Sequence, residues 1–212
     1  MSETLQTHPG RKATRAGDMR AFAAVAARRM GVVGAVAPSS PALARALTAV
    51  VPTTGAPVVV ELGPGTGPIS EAIRSRLAPG SRQLAVEIDP GMVAHLRRAK
   101  PWLEVVHGDA ADLGSLLAAQ GVDRVDAVVS TLPWSLFSPE QQGRILGEVR
   151  RALHPAGAFT TVTYLHALPL ARAAAFRRRL RASFDEVMTT WPVWRNVPPG
   201  LAYVCRRPVG HG

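Results

Sequence analysis

Cysteine is nearly absent: Cys205 stands alone in 212 residues, which excludes an internal disulfide framework. No apolar run approaches the roughly 18 residues needed to cross a bilayer, so any membrane contact is expected at the surface. The opening MSETLQTHPGRKATRAG lacks the apolar stretch of a secretory signal, and together these absences predict a cytoplasmic protein. Acids are few, 15 against 25 Lys and Arg, giving a formal charge of +10 and a sequence pI of about 11.3. Lysine is rarer still, only Lys12 and Lys100, so the excess is arginine. Such a balance fits a polyanionic partner, nucleic acid or an anionic membrane, and with the heavy alanine use it equally fits a bias of genome composition. The histidines share no repeated spacing with cysteine or carboxylates, which predicts no metal.

What is abundant is apolar: 47% of the residues are hydrophobic, enough for a sizeable core. Residues 1–17 are polar and aperiodic and read as a disordered tail. From Asp18 a helical spacing of Met19, Phe22, Ala23, Ala26 and Met30 predicts an amphipathic helix over 18–30 flanked by Arg20, Arg28 and Arg29. Its apolar face suits either a membrane surface or packing on the core. PALARALTAV follows Ser40 as a second short helix with Pro41 in its first turn, so residues 18–52 form a helical segment before a domain of 53–212. From Pro57 strands and helices alternate: PVVVEL, PISEAIRSRL, RQLAVEI, PGMVAHLRRA, LEVVHG, a weak helix near 113–119, VDAVVS and PEQQGRILGEVRRAL. Continuous apolar strands between helices predict an α/β, doubly wound, mostly parallel sheet. After GAFTTVTYL and the helix ARAAAFRRRLRA come FDEVMTTWPVW and GLAYVCRR, whose direct connection predicts an antiparallel hairpin at the end of the sheet, with a C-terminal antiparallel strand.

VVVELGPGTGPISEAI spends three glycines on the turn between the first strand and its helix. In doubly wound sheets ligands sit at the carboxyl ends of the strands, and this turn is the nearest backbone. Gly63, Gly65 and Gly67 allow close approach, and the following helix aims its first amides at the ligand. Glu61 before them would repel a pyrophosphate but suits a cationic amino-acid ligand. Glu87, in VEIDP at the end of strand two, is placed to accept from a ribose diol, and Asp109, in GDA after strand three, to accept from an adenine amino group.

VVELGPGTG, AVEIDP, VVHGDA and VDAVVSTLPW, in that order, resemble the motifs of class I S-adenosylmethionine-dependent methyltransferases over roughly residues 57–165. The resemblance implies S-adenosyl-L-methionine as cofactor and S-adenosyl-L-homocysteine as product. It adds Pro64, Thr66, Ile88, Ala110 and Ser130 to the cofactor-binding set, with Ser39 or Ser40 covering the methionine end.

The acceptor is expected at the end of strand four, where the chain reads STLPWSLF. Ribosomal RNA adenine dimethylases carry Asn-Leu-Pro-Tyr here; Thr131 replaces the amide with a hydroxyl that does not reproduce it. A second resemblance, to bacterial phospholipid N-methyltransferases, reaches further: VGAVAPSSPALARAL, the SxLP after strand four, a tyrosine ending strand five, and RNVPPGLAYVCRR. It implies stepwise N-methylation of phosphatidylethanolamine toward phosphatidylcholine at the inner face of the cell membrane, with rRNA adenine methylation as the alternative. The expected partners are a phospholipid and an anionic membrane surface rather than nucleic acid. Leu132, Pro133, Trp134, Tyr164 and Trp194 are then the expected substrate contacts, the rings holding an ammonium by cation–π attraction, while Arg195 binds the lipid phosphate with Asn196 in support. Trp191 and Trp102 fit ordinary core or rim packing. The amine must lose a proton before transfer; Tyr164, His166 and Thr131 are the candidate catalytic residues, with water an equal candidate for the proton. Glu71, Glu104 and Glu140 read as solvated charges.

Overall fold

The computed structural model describes residues 39–210; the tail 1–17 and the helix 18–30 expected from the sequence lie outside them. Seven strands form one sheet in the order β3-β2-β1-β4-β5-β7-β6. The strands are β1 (Val58–Leu62), β2 (Arg82–Glu87), β3 (Glu104–His107), β4 (Val125–Ser130), β5 (Leu153–Tyr164), β6 (Phe184–Thr189) and β7 (Gly200–Pro208). The first five are parallel, and β7 runs antiparallel between β5 and β6. The doubly wound architecture with an antiparallel C-terminal strand is therefore as the sequence predicts, with the order reversing between β1 and β4.

Helices α1 (Pro41–Thr48), α2 (Pro68–Arg74), α3 (Pro90–Ala99), α4 (Leu113–Ala118), α5 (Pro139–Ala152) and α6 (Ala171–Ser183) cover the sheet. Strand alternation sorts them into two layers. Val60, Leu62, Val128, Phe159, Tyr203 and Cys205 pack toward α4, α5 and α6. Val59, Ala127, Val129 and Ala202 pack against Leu43 and Leu47 of α1 and Ile69 and Ile73 of α2, while Ala85 meets Leu96 of α3. Ser40 caps α1 by accepting from the Leu43 amide at 3.3 Å, and Thr160 of β5 ties the helix down by donating to the Leu47 carbonyl at 2.8 Å. Ser138 and Gln141 close a capping box at the start of α5.

Several boundaries differ from the sequence pattern, among them the start of β5, which lies at Leu153 rather than Gly157. The helix expected over 68–77 ends at Arg74 because Ala78-Pro79-Gly80 cannot continue it, and its last residues tighten into turns with Arg76 donating to Ile73 and Leu77 to Arg74. The strand expected over 184–194 stops at Thr189, since Pro192 has no amide to extend a ladder.

Candidate active site

The carboxyl ends of β1, β2, β3 and β4 and the loops that leave them gather Glu61, the glycine turn, Glu87, Asp109 and Ser130 along one edge of the sheet. Gly63 donates to the Val86 carbonyl at 3.0 Å, Thr131 to Leu62 at 3.0 Å and Gly108 to the Glu87 carbonyl at 3.0 Å, so the loops at this edge are tied to the neighbouring strands. Gly63, Gly65 and Gly67 all adopt the left-handed region, with φ of 72°, 57° and 85°. A Cβ at Gly65 would meet nothing within 4 Å, so this part of the turn faces open space where a ligand can approach. At Gly67 a Cβ would lie 2.2 Å from Lys100 Cε, so that glycine is required by both conformation and crowding.

Glu61 is fully buried. One carboxyl oxygen accepts from Ser70 Oγ at 2.5 Å, while Oε1 has no partner. Burial pushes the group up to about 7, against the lowering influence of the Ser70 hydrogen bond and Lys100, and Glu87 adds to the rise. A buried acceptor without a donor is costly unless a ligand supplies one. A cationic amine next to the glycine turn meets that need, so the residues present fit the amino-acid end of S-adenosylmethionine. Glu87 is buried too, and burial raises its pKa while backbone amides of Asp89, Gly65 and Ile88 hold the charged form; the Asp89 amide donates to Oε1 at 2.9 Å. The carboxylate is therefore fixed in direction at the end of β2. Asp109 caps the short turn Ala110–Asp112 by accepting from the Ala111 amide at 2.9 Å.

The substrate end is less uniform than the sequence suggests. The Thr131 hydroxyl donates to the Gly63 carbonyl at 2.6 Å, joining the β4 exit to the glycine turn and leaving its oxygen lone pairs to accept. Leu132 and Pro133 are half-buried beside it. Trp134, expected against the acceptor, is 4% exposed: its ring stacks on Phe176 at 4.9 Å and meets Phe137 and Phe159 edge-on, and its indole N–H donates to Ser130 Oγ at 3.2 Å. The ring is a core element because α6 supplies it a stacking partner that local sequence could not reveal. Tyr164 and His166 stack at 5.9 Å at the end of β5. Burial raises the Tyr164 phenol above its ordinary range, so at neutral pH it remains a donor and a ring, not a resting base.

Asn196, expected to support Arg195 on a phosphate, is 2% exposed and is spent inside the fold. Its Oδ1 accepts from the Ser40 amide at 2.9 Å and its Nδ2 donates to the Pro198 carbonyl at 2.8 Å. Arg195 and Trp194 beside it are exposed. Trp191 is not packed at all, whereas Trp102 is half-buried with Arg74 and Lys100 over its ring. Glu71 is solvent-exposed and Glu104 partly so, as expected, and both are also paired: Glu71 with Lys100, and Glu104 with Arg82 through two hydrogen bonds. Among the described residues no group of three or more His, Cys, Asp or Glu side chains is arranged to hold a metal ion.

A family described as a methyltransferase domain matches residues 59–157. An ornithine lipid N-methyltransferase from Singulisphaera acidiphila is 37% identical over 177 residues, covering 82% of this chain and 88% of the relative. The chain belongs to the class I S-adenosylmethionine-dependent methyltransferases. This methyltransferase also resembles a ribosomal RNA small subunit methyltransferase A from Kineococcus radiotolerans, 31% identical over 77% of the chain but only 57% of that relative. Among solved structures, TrmN from Thermus thermophilus superposes with a TM-score of 0.63 at 20% identity, over 85% of this chain and 52% of that one. The O-methyltransferase from Bacillus cereus in complex with SAH does so at 0.62 and 14%, over 92% and 93%. At those identities the two structures speak for the fold alone.

Two residues that help build the methyltransferase site are missing from the sequence reading. Ser70, in the first turn of α2, holds Glu61. Lys100 is buried after α3, passes over Gly67 and reaches Glu71. The available signal was its rarity: Lys100 is the only lysine after residue 12 in an arginine-rich chain.

Proposed function

We propose that this methyltransferase N-methylates the amine of a membrane lipid at the cytoplasmic face of the cell membrane. The observation that carries the reading is the similarity to the ornithine lipid N-methyltransferase, which spans 88% of that relative. The matches to rRNA methyltransferases leave much of those proteins uncovered. Phosphatidylethanolamine and its partly methylated products are the acceptors implied by the sequence resemblance, and the amine of ornithine lipid is the one the Singulisphaera relative's name supports.

When bound, S-adenosylmethionine supplies an electrophilic methyl group on a sulfonium. The protein's task is then to align an amine lone pair with it and keep water out. In this reading Glu61 answers the ligand's ammonium, and the turn Gly63, Pro64, Gly65, Thr66 and Gly67 lies along the methionine moiety, with Ser39 and Ser40 closing its end. Glu87 and Ile88 hold the ribose side, and Asp109, Ala110 and Ser130 border the adenine. The lone pairs of Thr131 accept from the substrate N–H while Leu132, Pro133 and the Tyr164 ring shape the pocket, and Trp194 and Arg195 meet the rest of the head group. The amine's proton leaves to His166 or to water. The test is transfer of labelled methyl from S-adenosylmethionine to vesicles containing phosphatidylethanolamine or ornithine lipid, in parallel with ribosomal RNA. Label in either lipid supports the reading; label in RNA alone sinks it. In the same assays Glu87→Ala is expected to weaken S-adenosylhomocysteine binding severely by calorimetry, and unchanged affinity would remove the ribose assignment.

A further inference from the structure

The connection from β6 to β7 has an unusual surface. Trp191 is 91% exposed, Trp194 72% and Val197 72%, with Leu170 and Met188 also largely exposed. Five of the six exposed large apolar side chains among the described residues thus belong to one end of the molecule. Its position follows from the pairing: Tyr164, the last residue of β5, stands opposite Gly200, the first of β7. Residues 190–199 therefore leave the sheet at the same edge as Glu61, Glu87 and Ser130. Leu170 follows β5 at that edge as well.

The segment is not loosely held. Thr190 donates to Ala202, Val193 to Gly200 and Asn196 to Val193, and buried Asn196 fastens the chain to Ser40. Pro192, Pro198 and Pro199 have no N–H to satisfy. A braced loop with few free donors that presents two tryptophans to solvent spends nothing on folding for those rings, since neither is packed. Contiguous exposed apolar surface of this kind marks a contact site, and tryptophan with arginine is the pairing favoured where hydrocarbon meets head groups.

Charge selects the partner. After Glu148 the sequence holds only two acids, Asp185 and Glu186, and both sit at the start of β6, the opposite edge of the sheet. Around the loop, Arg195 and Arg172, at the start of α6, face no carboxylate from β5, α6 or the loop itself. The remaining arginines of α6 are carried toward the far edge as the helix runs back to β6.

We propose that the β6–β7 loop is the membrane-docking surface, with Trp191, Trp194 and Val197 entering the interface of an anionic bilayer and Arg195 and Arg172 meeting its phosphates. This deepens the lipid-acceptor reading, on which it rests for its purpose, because it would seat the open end of the site on the leaflet that holds the acceptor.

The test is sedimentation of the full chain with phosphatidylglycerol vesicles, which contain no methylatable amine and so score docking apart from catalysis. The double variant Trp191→Ala, Val197→Ser, at exposed positions outside the proposed site, is expected to sediment at least about tenfold more weakly. Its affinity for S-adenosylhomocysteine and its thermal midpoint stay unchanged. Sedimentation equal to the parent protein overturns the proposal, and loss of binding on Phe22→Ser instead moves the contact to residues 18–30. If the full chain binds a single-stranded RNA and not the vesicles, the surface is a nucleic-acid platform and the proposal also fails. Weakened sedimentation with no lipid methylated by the parent protein leaves the docking surface standing and removes the lipid-acceptor reading.

Discussion

Glu61 offers a test in which stability and binding move in opposite directions with pH. Its folded-state pKa, about 7, lies above the ordinary 4.5, so the native protein holds a proton that the unfolded chain has released. The stability associated with that proton is complete below about pH 4.5 and is lost as pH rises through about 7. Over that span the cost of the buried charge grows to about 3 kcal/mol at most. Glu61→Gln keeps an acceptor for Ser70 and removes the charge, so its thermal midpoint should exceed that of the parent protein at about pH 8 and match it near pH 4.5. Ligand binding runs the other way. If the ammonium of S-adenosylhomocysteine needs the carboxylate, about one site in ten is ready at pH 6 and about nine in ten at pH 8, giving about tenfold tighter binding at the higher pH. Calorimetry at pH 6 in two buffers of different ionisation enthalpy should then report release of close to one proton, about 0.9, on binding. In Glu61→Gln both the pH dependence and the proton release should vanish, with affinity at pH 8 reduced about tenfold or more by loss of a charged hydrogen bond. A flat affinity profile with no proton release in the parent protein would refute the assignment of Glu61 to the ligand's amine.

Gly67→Ala should destabilise the fold by about 1 to 2 kcal/mol through its left-handed backbone, with a further cost from the Lys100 stem 2.2 Å away. Because the second cost needs that stem, Lys100→Ala combined with Gly67→Ala should be less harmful than the sum of the two, as read by denaturant unfolding. Trp134→Ala should lower stability by about 3 to 5 kcal/mol as a core truncation, while Trp134→Phe should recover much of it and keep the lipid-acceptor KM. A raised KM with unchanged stability in Trp134→Phe would return that ring to the acceptor pocket.

The alternation of apolar runs and capped helices made the sheet legible, because the central strands β1, β2 and β4 are buried on both faces and α1, α2, α3 and α5 each start at Pro after a capping residue or a glycine. That the glycine turn and the two acids gather at one edge of the sheet was equally legible, since all of them stand at or just after strand ends. What escaped depended on partners far apart in sequence. Asn196 is set by Ser40, and Trp134 by Phe176. Lys100 is set by Glu71 and by the space that Gly67 leaves open. Trp191 fails in the opposite sense: aromatic character predicts packing, and only the geometry of the loop shows that nothing packs on it.

The place of β7 in the sheet constrains the order of assembly. β6 pairs only with β7, and β7 pairs with both β5 and β6. On a ribosome the parallel half through β5 can close while later residues are still being added, and α6 can pack on α5, but β6 has no strand to join until residues 200–208 emerge. Until then the edge of β5 stays free, although Phe176 of α6 can already stack on Trp134 and Phe184 on Phe159. An unpaired edge of this kind is a template for pairing with another chain, so filling it with β7 also removes the place where a second copy could add a strand.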